Sequence, residues 1–526
     1  MNEHTENNAG STETSRTVFA AKNSFYGLIG KAAGLIVSFV SRTIFIYALG
    51  QYYLGVNGLY TDILNMLSFA ELGFGSAMTF ALYGPVARNE ERRVGELLSF
   101  YKKTYRIIAL VITVLGIGLV PFLQYIIRGA DSLSLFELRL YFLIFLANTV
   151  VTYFVSYKYG LLNAMQRTYL QTNLETLTTV TSAAIQIVAL LLTSSFLVYL
   201  LSNTITLIIS RVLIARYLNR KYPLLTRYPN ASLPRAERKK IIHEVQGLAV
   251  HQFASVAVYA TDSIIISAIP TLGIAVVGAV SNYNMIINAI SGIVIVVLNG
   301  AVAGFGNLAI SSSKKRFLDV FKEANFIDFW IYGVCTVSLF VLLPPFIELW
   351  IGENYLIDRA SFLLILVNFY LQGQSTIYNN ARIAKGNFNM DKNWALAQAL
   401  TNLVVSTICA LHFGLVGVYM GTVASRLVLF ISRPCVTYRF LFDEGPIRYF
   451  ITSAKYFIAV SIAAGLCFYS CEIVIGMLSL TWLSFMLAIA ICVIEANLFF
   501  YIVFSKNQEF SEFKIRLQRL IGRVKR

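Results

Sequence analysis

Charged residues are scarce in this chain. Asp, Glu, Lys and Arg make up 13% of its 526 residues, against roughly 25% in an ordinary soluble protein, and that deficit excludes a water-soluble globular enzyme. The 4 histidines (His4, His243, His251, His412) are scattered. No HExxH or His–carboxylate spacing occurs, which argues against a metalloenzyme. There is no GxxxxGK[ST] loop, so nucleotide hydrolysis by this chain has no motif behind it. The 6 cysteines (Cys335, Cys409, Cys435, Cys467, Cys471, Cys492) lie in or beside apolar stretches, with only Cys467 and Cys471 four residues apart. They read as packing residues rather than metal ligands or disulfides. The start of the chain lacks a signal peptide's charged region: Met1 to Thr17 is rich in Asn, Ser, Thr and Glu, a disordered tail before a retained first helix.

What the chain has is apolar length. Hydrophobic residues are 57% of the total, about 300 positions, and a bilayer crossing takes about 20. Apolar runs stand at about 25–49, 55–83, 105–127, 139–162, 169–195, 196–218, 246–270, 273–309, 325–351, 360–385, 391–412, 413–437, 450–474 and 478–504. Fourteen spans are expected. The division of 169–218 rests only on Thr193-Ser194-Ser195 and on the fact that nearly fifty residues exceed one crossing.

The loops explain the net charge of +16. Lys and Arg collect in alternate connections: Arg88 to Arg106, Lys158 and Arg167, Arg216 to Lys240, Lys314 to Lys322, Arg382 to Lys392, Arg433 to Lys455, and Lys506 to Arg526, whereas the other side has only Arg128, Arg139 and Arg359. By the positive-inside rule both termini are cytoplasmic. No basic run is interleaved with stacking aromatics, so nucleic acid is not an expected partner. The outer connections are all short, which speaks against a glycan polymerase or an outer-face transferase.

The one long inner loop, with Arg235 to Val245 as a basic amphipathic helix at the headgroup surface, falls after six spans. Because six is even, the second set starts in the same orientation and a parallel repeat follows. Leu54-Gly55-Val56-Asn57-Gly58 and Leu272-Gly273-Ile274-Ala275-Val276-Val277-Gly278 are faint echoes of it. The expected fold is an all-α polytopic membrane protein of about 14 transmembrane helices, with two six-helix lobes related by a parallel repeat plus an appended helix pair. Its parts are a tail (1–17), an N-lobe (18–218), a linker (219–245), a C-lobe (246–440), the last two spans (441–505) and a basic tail (506–526).

Ionisable residues inside spans are costly and mark cavities or partners. They are Lys31 and Arg42 on the first span, Asp62 and Glu71 on the second, Glu175 on the fifth, Arg211 on the sixth, His251 and Asp262 on the seventh, Asp328 on the ninth, Arg382 on the tenth and Arg426 on the twelfth. Lys31, Arg211, Asp328 and Arg382 are near enough to helix ends for snorkelling to account for them. Arg42, Asp62, Asp262 and Arg426 are deeper. Arginine stays charged in low dielectric and grips phosphate oxygens bidentately. The candidate substrate-binding cations are therefore Arg42, Arg426, Lys31, Arg211 and Arg382; Asp62, Asp262 and Glu71 are the candidate coupling or charge-pair carboxylates. At each site a static interhelical ion pair is the competing reading.

A set of segments carries a family resemblance: Arg42-Thr43-Ile44-Phe45, Tyr53 to Tyr60, Ala70-Glu71-Leu72-Gly73-Phe74-Gly75-Ser76-Ala77, Leu82-Tyr83-Gly84-Pro85, Phe100-Tyr101-Lys102-Lys103, Thr261-Asp262-Ser263, Ser281-Asn282-Tyr283-Asn284, Gly306-Asn307-Leu308, Arg382-Ile383-Ala384-Lys385-Gly386 and Gly417-Val418-Tyr419-Met420-Gly421-Thr422. In order and spacing, over about residues 20 to 440, the chain resembles the polysaccharide or O-antigen type flippases of the multidrug/oligosaccharidyl-lipid/polysaccharide exporter superfamily, the Gram-positive capsule and exopolysaccharide branch in particular. The resemblance implies a non-enzymatic fourteen-helix transporter in a bacterial plasma membrane, with two lobes around a cationic cavity. By alternating access it would turn a polyprenyl-pyrophosphate-linked oligosaccharide to the outer leaflet, with membrane lipids and glycan assembly proteins as further partners. Arg42 and Asp262 carry over with their motifs; Arg426 rests on depth. No cofactor is expected, with coupling to H+ or Na+ left open. A cation-coupled multidrug or metabolite exporter and a peptidoglycan-precursor lipid flippase are the alternatives.

Overall fold

The computed structural model describes residues 3–71, 73–129, 133–229, 231–311, 313–384 and 391–515. Lys385, Gly386 and the tail beyond 515 lie outside the described residues, as does the side chain of His251. Every regular element among those described is helical. Among the described residues, ten helices are long and apolar enough to cross a membrane. The chain divides into two compact units, Met1–Ala275 and Val276–Arg526.

Unit 1 contains α1 (Glu3–Leu67), α2 (Phe74–Ala87), α3 (Glu91–Leu119), α4 (Leu123–Ile126), α5 (Leu135–Ala164), α6 (Thr168–Thr193), α7 (Phe196–Lys221), α8 (Leu224–Arg227) and α9 (Arg235–Ala268). Helix α1 starts at Glu3, so the polar stretch expected as a disordered tail has helical backbone from its third residue. That stretch contains no proline and a single glycine, Gly10, so it holds no strong helix breaker. At Gly50, with φ 79°, the helix is interrupted; a side chain there would be strained, and glycine is not. The first two expected spans meet at this point. The division within 169–218 falls where Thr193-Ser194-Ser195 placed it: α6 ends at Thr193, Ser194 takes a left-handed conformation, and α7 begins after Ser195.

The linker differs from a separate surface helix. Its basic stretch is the first part of α9, which continues unbroken to Ala268. The only breaker on the way is Gly247, and one glycine costs a helix about 1 kcal/mol, too little to stop it. Ion pairs Arg227–Glu91 and Arg93–Glu237 hold the linker to the start of α3, and Ser99 Oγ donates to the Pro229 carbonyl at 3.2 Å. Helix α9 packs on α1 and α2, which is why the boundary between the units falls after it and not at the linker.

Unit 2 takes most of α10 (Gly273–Ser311), then α11 (Lys314–Ile351), α12 (Arg359–Gln374), α13 (Thr376–Ala384), α14 (Lys392–Thr437), α15 (Ile447–Leu478) and α16 (Trp482–Phe504). Side-chain caps start three of them: Ser313 on Arg316 N, Asp358 on Ser361 N, and Thr481 in a reciprocal pair with Ser484. Helix α14 is a hairpin: Gly414 (φ 57°) turns it, and Gly417 and Gly421 then lie against Cys409 and Ser406. Helices α15 and α16 dock on α11 through aromatic rings, with Phe329 stacked on Tyr456 at 3.8 Å and Phe500 and Phe504 beside them. Large apolar side chains such as Leu191, Leu192 and Met477 point outward, the arrangement expected where hydrocarbon is the solvent and helix association depends on close packing and hydrogen bonds.

Candidate functional site

Charge inside these helices is handled in two ways, by closure with an opposite charge or by hydroxyl and amide groups. Arg211 is closed. Its guanidinium forms a two-pronged ion pair with Glu175 across α6 and α7, with Nη2 donating to Oε2 at 2.9 Å, and it also donates to the Tyr159 hydroxyl at 3.2 Å. Removing Glu175 would leave this arginine, only 11% exposed, without that counter-charge. Glu175→Gln is expected to lower the melting temperature in detergent, by an amount between the ~1 kcal/mol of an exposed pair and the ~3 kcal/mol of a buried one. The double variant Glu175→Gln/Arg211→Gln should recover most of the loss. Equal melting of the single variant and the wild type would contradict a structural pair.

Arg382 is likewise engaged. Together with Arg433 it clasps Asp391, whose side chain is 2% exposed; Arg433 Nε donates to Oδ2 at 3.0 Å, and Arg382 also donates to Asn379 Oδ1 at 2.6 Å. This cluster joins α13, the start of α14 and the end of its second half around a small pocket that Tyr378 and Thr437 also line. Arg433 escaped notice as a partner because it counts among the loop charges, and Asp391, at the edge of an apolar run, carries no signal of its own in the sequence. Lys31 is exposed on α1.

Other candidates have uncharged groups among their contacts. Arg42, partly buried on α1, lies beside Tyr199 of α7, whose ring packs edge-on against Phe45 at 5.0 Å. Arg426, only 8% exposed on the second half of α14, donates from Nε to Asn368 Oδ1 at 2.9 Å. An amide orients a guanidinium without cancelling its charge. Asp62 accepts from Ser263 Oγ at 2.5 Å, across α1 and α9. Asp262, the neighbour of that serine, is half-buried on α9.

Glu71 stands at a break. Between α1 and α2 the chain passes through a short 3-10 turn, Ser68–Glu71, and Gly73 with φ 86°. Tyr105 donates its hydroxyl to Glu71 Oε1 at 2.5 Å, and its ring packs against Tyr101 and Tyr153. Non-helical backbone at membrane depth is tolerated only where protein or a water-filled cavity surrounds it. Tyr105 and Ser263 had no distinguishing signal in the sequence, since a polar residue on an apolar helix serves packing equally well.

The two glycine segments that echo each other in sequence meet within unit 1. Gly55 abuts the Ile274 carbonyl so closely that a Cβ would stand 1.9 Å from it. Gln51 Nε2 donates to the Ala275 carbonyl at 2.8 Å, while Arg128 N donates to the Ser267 carbonyl at 3.0 Å and Arg128 O accepts from Ile274 N at 3.1 Å. The turn after α9 is thereby fixed to the turn after α4.

This helical architecture is shared with a class of membrane flippases and transporters. It matches a lipid II flippase, MurJ in an inward closed conformation, with a TM-score of 0.67 over 92% of this chain and 98% of that one at 14% identity. It matches an inward-facing multidrug resistance MATE transporter of the MOP superfamily with a TM-score of 0.60 over 76% of this chain and 93% of that one at 15% identity. A mutant form of the MATE transporter VcmN of Vibrio cholerae gives 0.57 over 82% and 99% at 15% identity. At such identities the likeness is one of fold. The family described as polysaccharide biosynthesis protein matches residues 20–303, more than half of the sequence, and the chain belongs to that family. Among curated proteins none matches it.

Proposed function

We propose that this protein is a flippase that carries a polyprenyl-pyrophosphate-linked oligosaccharide repeat unit from the cytoplasmic to the outer leaflet of a bacterial plasma membrane, for capsule or exopolysaccharide assembly. It does so with fourteen spans and both termini in the cytoplasm. The observation that carries the reading is membership of the polysaccharide biosynthesis family by a chain whose fold is shared with a lipid II flippase. The interior charges fit it. The contacts described for Arg42 and Arg426 are with uncharged groups, and the two supply the forked, permanently charged donors that a pyrophosphate requires. Arg211 and Arg382, held by carboxylates, keep helices together.

A second reading, a cation-coupled exporter, is favoured by the carboxylates Asp62, Asp262 and Glu71, two of which accept hydrogen bonds only from hydroxyls in the contacts described above. In the flippase these same groups would couple transport to H+ or Na+. One experiment addresses both readings: reconstitution of the full chain in vesicles with a lipid-linked oligosaccharide and a leaflet-specific probe, with and without pH and Na+ gradients. Transfer of the glycan between leaflets supports the flippase, and gradient dependence lost in Asp262→Asn with substrate binding retained supports the coupling role. Gradient-driven export of cationic drugs with no glycan transfer would replace the first reading by the second.

A further inference from the structure

The interior of unit 2 holds a carboxylate that the reading above does not use. Asp328, on α11, has no exposed surface, and neither Oδ1 nor Oδ2 has a hydrogen-bond partner. No Lys or Arg pairs with it among the described residues. The groups facing it can be named element by element. Helix α12 contributes Tyr370 and α15 contributes Tyr449, the two phenols that interact with it electrostatically, with Tyr456 one step further along α15. Helix α16 packs the rings of Phe500 and Phe504 on the neighbouring Phe329. On α11 itself the next acid is Glu323, five residues away.

An ionised carboxylate in such a place is far out of balance, because burial removes its hydration and nothing replaces it; such a group takes up a neutralising ligand instead. A metal ion would need several oxygens converging on it. Here no donor or acceptor reaches hydrogen-bonding distance of the carboxylate, and the ligand that needs no such shell is a proton. Around it stand aromatic rings rather than a hydrogen-bonded file: the Tyr449 ring centroid lies 5.1 Å from that of Tyr378 and 6.2 Å from that of Tyr438, and the hydroxyls of Tyr370, Tyr378 and Tyr449 have no hydrogen-bond partner.

We infer that Asp328 is a proton-binding site of unit 2, where an O–H bond on the carboxyl replaces the hydration that burial removes. The site is separate from Asp62, Asp262 and Glu71, and its test reads the proton directly, so it stands apart from which substrate the protein moves.

The test is infrared spectroscopy of the full-length protein in vesicles, in H2O and after transfer to D2O. The wild type should show a protonated-carboxyl C=O band that is absent in Asp328→Asn. Should Asp328→Asn not fold, Asp328→Glu and Tyr370→Phe should each move the band. A spectrum unaltered by all substitutions at 328 and 370 overturns the site. Absence of glycan transfer by a wild type that shows the band would count against the flippase reading alone.

Discussion

Arg42→Ala is expected to reduce transfer of the lipid-linked glycan about 10- to 100-fold, the worth of a hydrogen bond to a charged group at about 1.5–3 kcal/mol, while the protein remains in the membrane at its normal level. The residue sits on α1 beside Tyr199, a phenol that can orient a guanidinium but not discharge it. Arg42→Lys should restore only part of the activity, because an ammonium keeps the charge and loses the planar fork that meets two phosphate oxygens. The leaflet-specific assay, paired with quantitation of protein in the membrane, measures both. Unchanged transfer by Arg42→Ala at normal protein levels would remove this arginine from the binding site and leave it as a packing partner of α7.

Gly421→Leu is expected to have the largest effect on the fold. In the α14 hairpin, a Cβ on Gly421 would stand 2.2 Å from the backbone nitrogen of Ser406, and one on Gly417 would stand 2.1 Å from the Cys409 carbonyl. These atoms are backbone and cannot turn aside. Glycines four apart let two helices approach until polar groups bond between them: Ser406 Oγ donates to the Val418 carbonyl at 2.9 Å, and Asn402 Nδ2 donates to Thr422 Oγ1 at 3.2 Å. A leucine would force the halves apart, at about 1–3 kcal/mol for overpacking plus about 0.5–1.5 kcal/mol for each hydrogen bond lost. Against a net stability of about 5–15 kcal/mol, a clear fall in melting temperature and in monodisperse protein should follow, with Gly421→Ala intermediate. Wild-type melting of Gly421→Leu would show that the hairpin is not so tightly closed.

The positions of the helices were legible in the sequence because hydrocarbon imposes a length and a polarity on any segment that crosses it. The break at Thr193 to Ser195, with neither proline nor charge to mark it, followed from that short polar stretch and from length. Partnership was not legible. Arg42 and Arg211 look alike as arginines in apolar runs, yet one lies beside a phenol and the other is held by Glu175. Asp328 could be attributed to a helix end by counting residues, and the packing of α12 and α15 around it makes it wholly buried. The continuity of α9 through the linker was hidden for the same kind of reason, since a basic amphipathic stretch reads alike whether it lies on the surface or leads into a span.

By itself, then, the sequence determined an all-helical membrane protein, the rough limits of its helices and a set of costly interior charges, because each of these follows from the free energy of placing one residue type in water or in hydrocarbon. Tertiary structure alone decided which arginines are closed by carboxylates, which acids rest on hydroxyls, that α9 packs within the first unit, and that Asp328 is buried without a hydrogen-bond partner. Those outcomes depend on distances of a few ångströms between residues far apart in the chain. Such distances are set by how helices pack, and packing is a property of many side chains together.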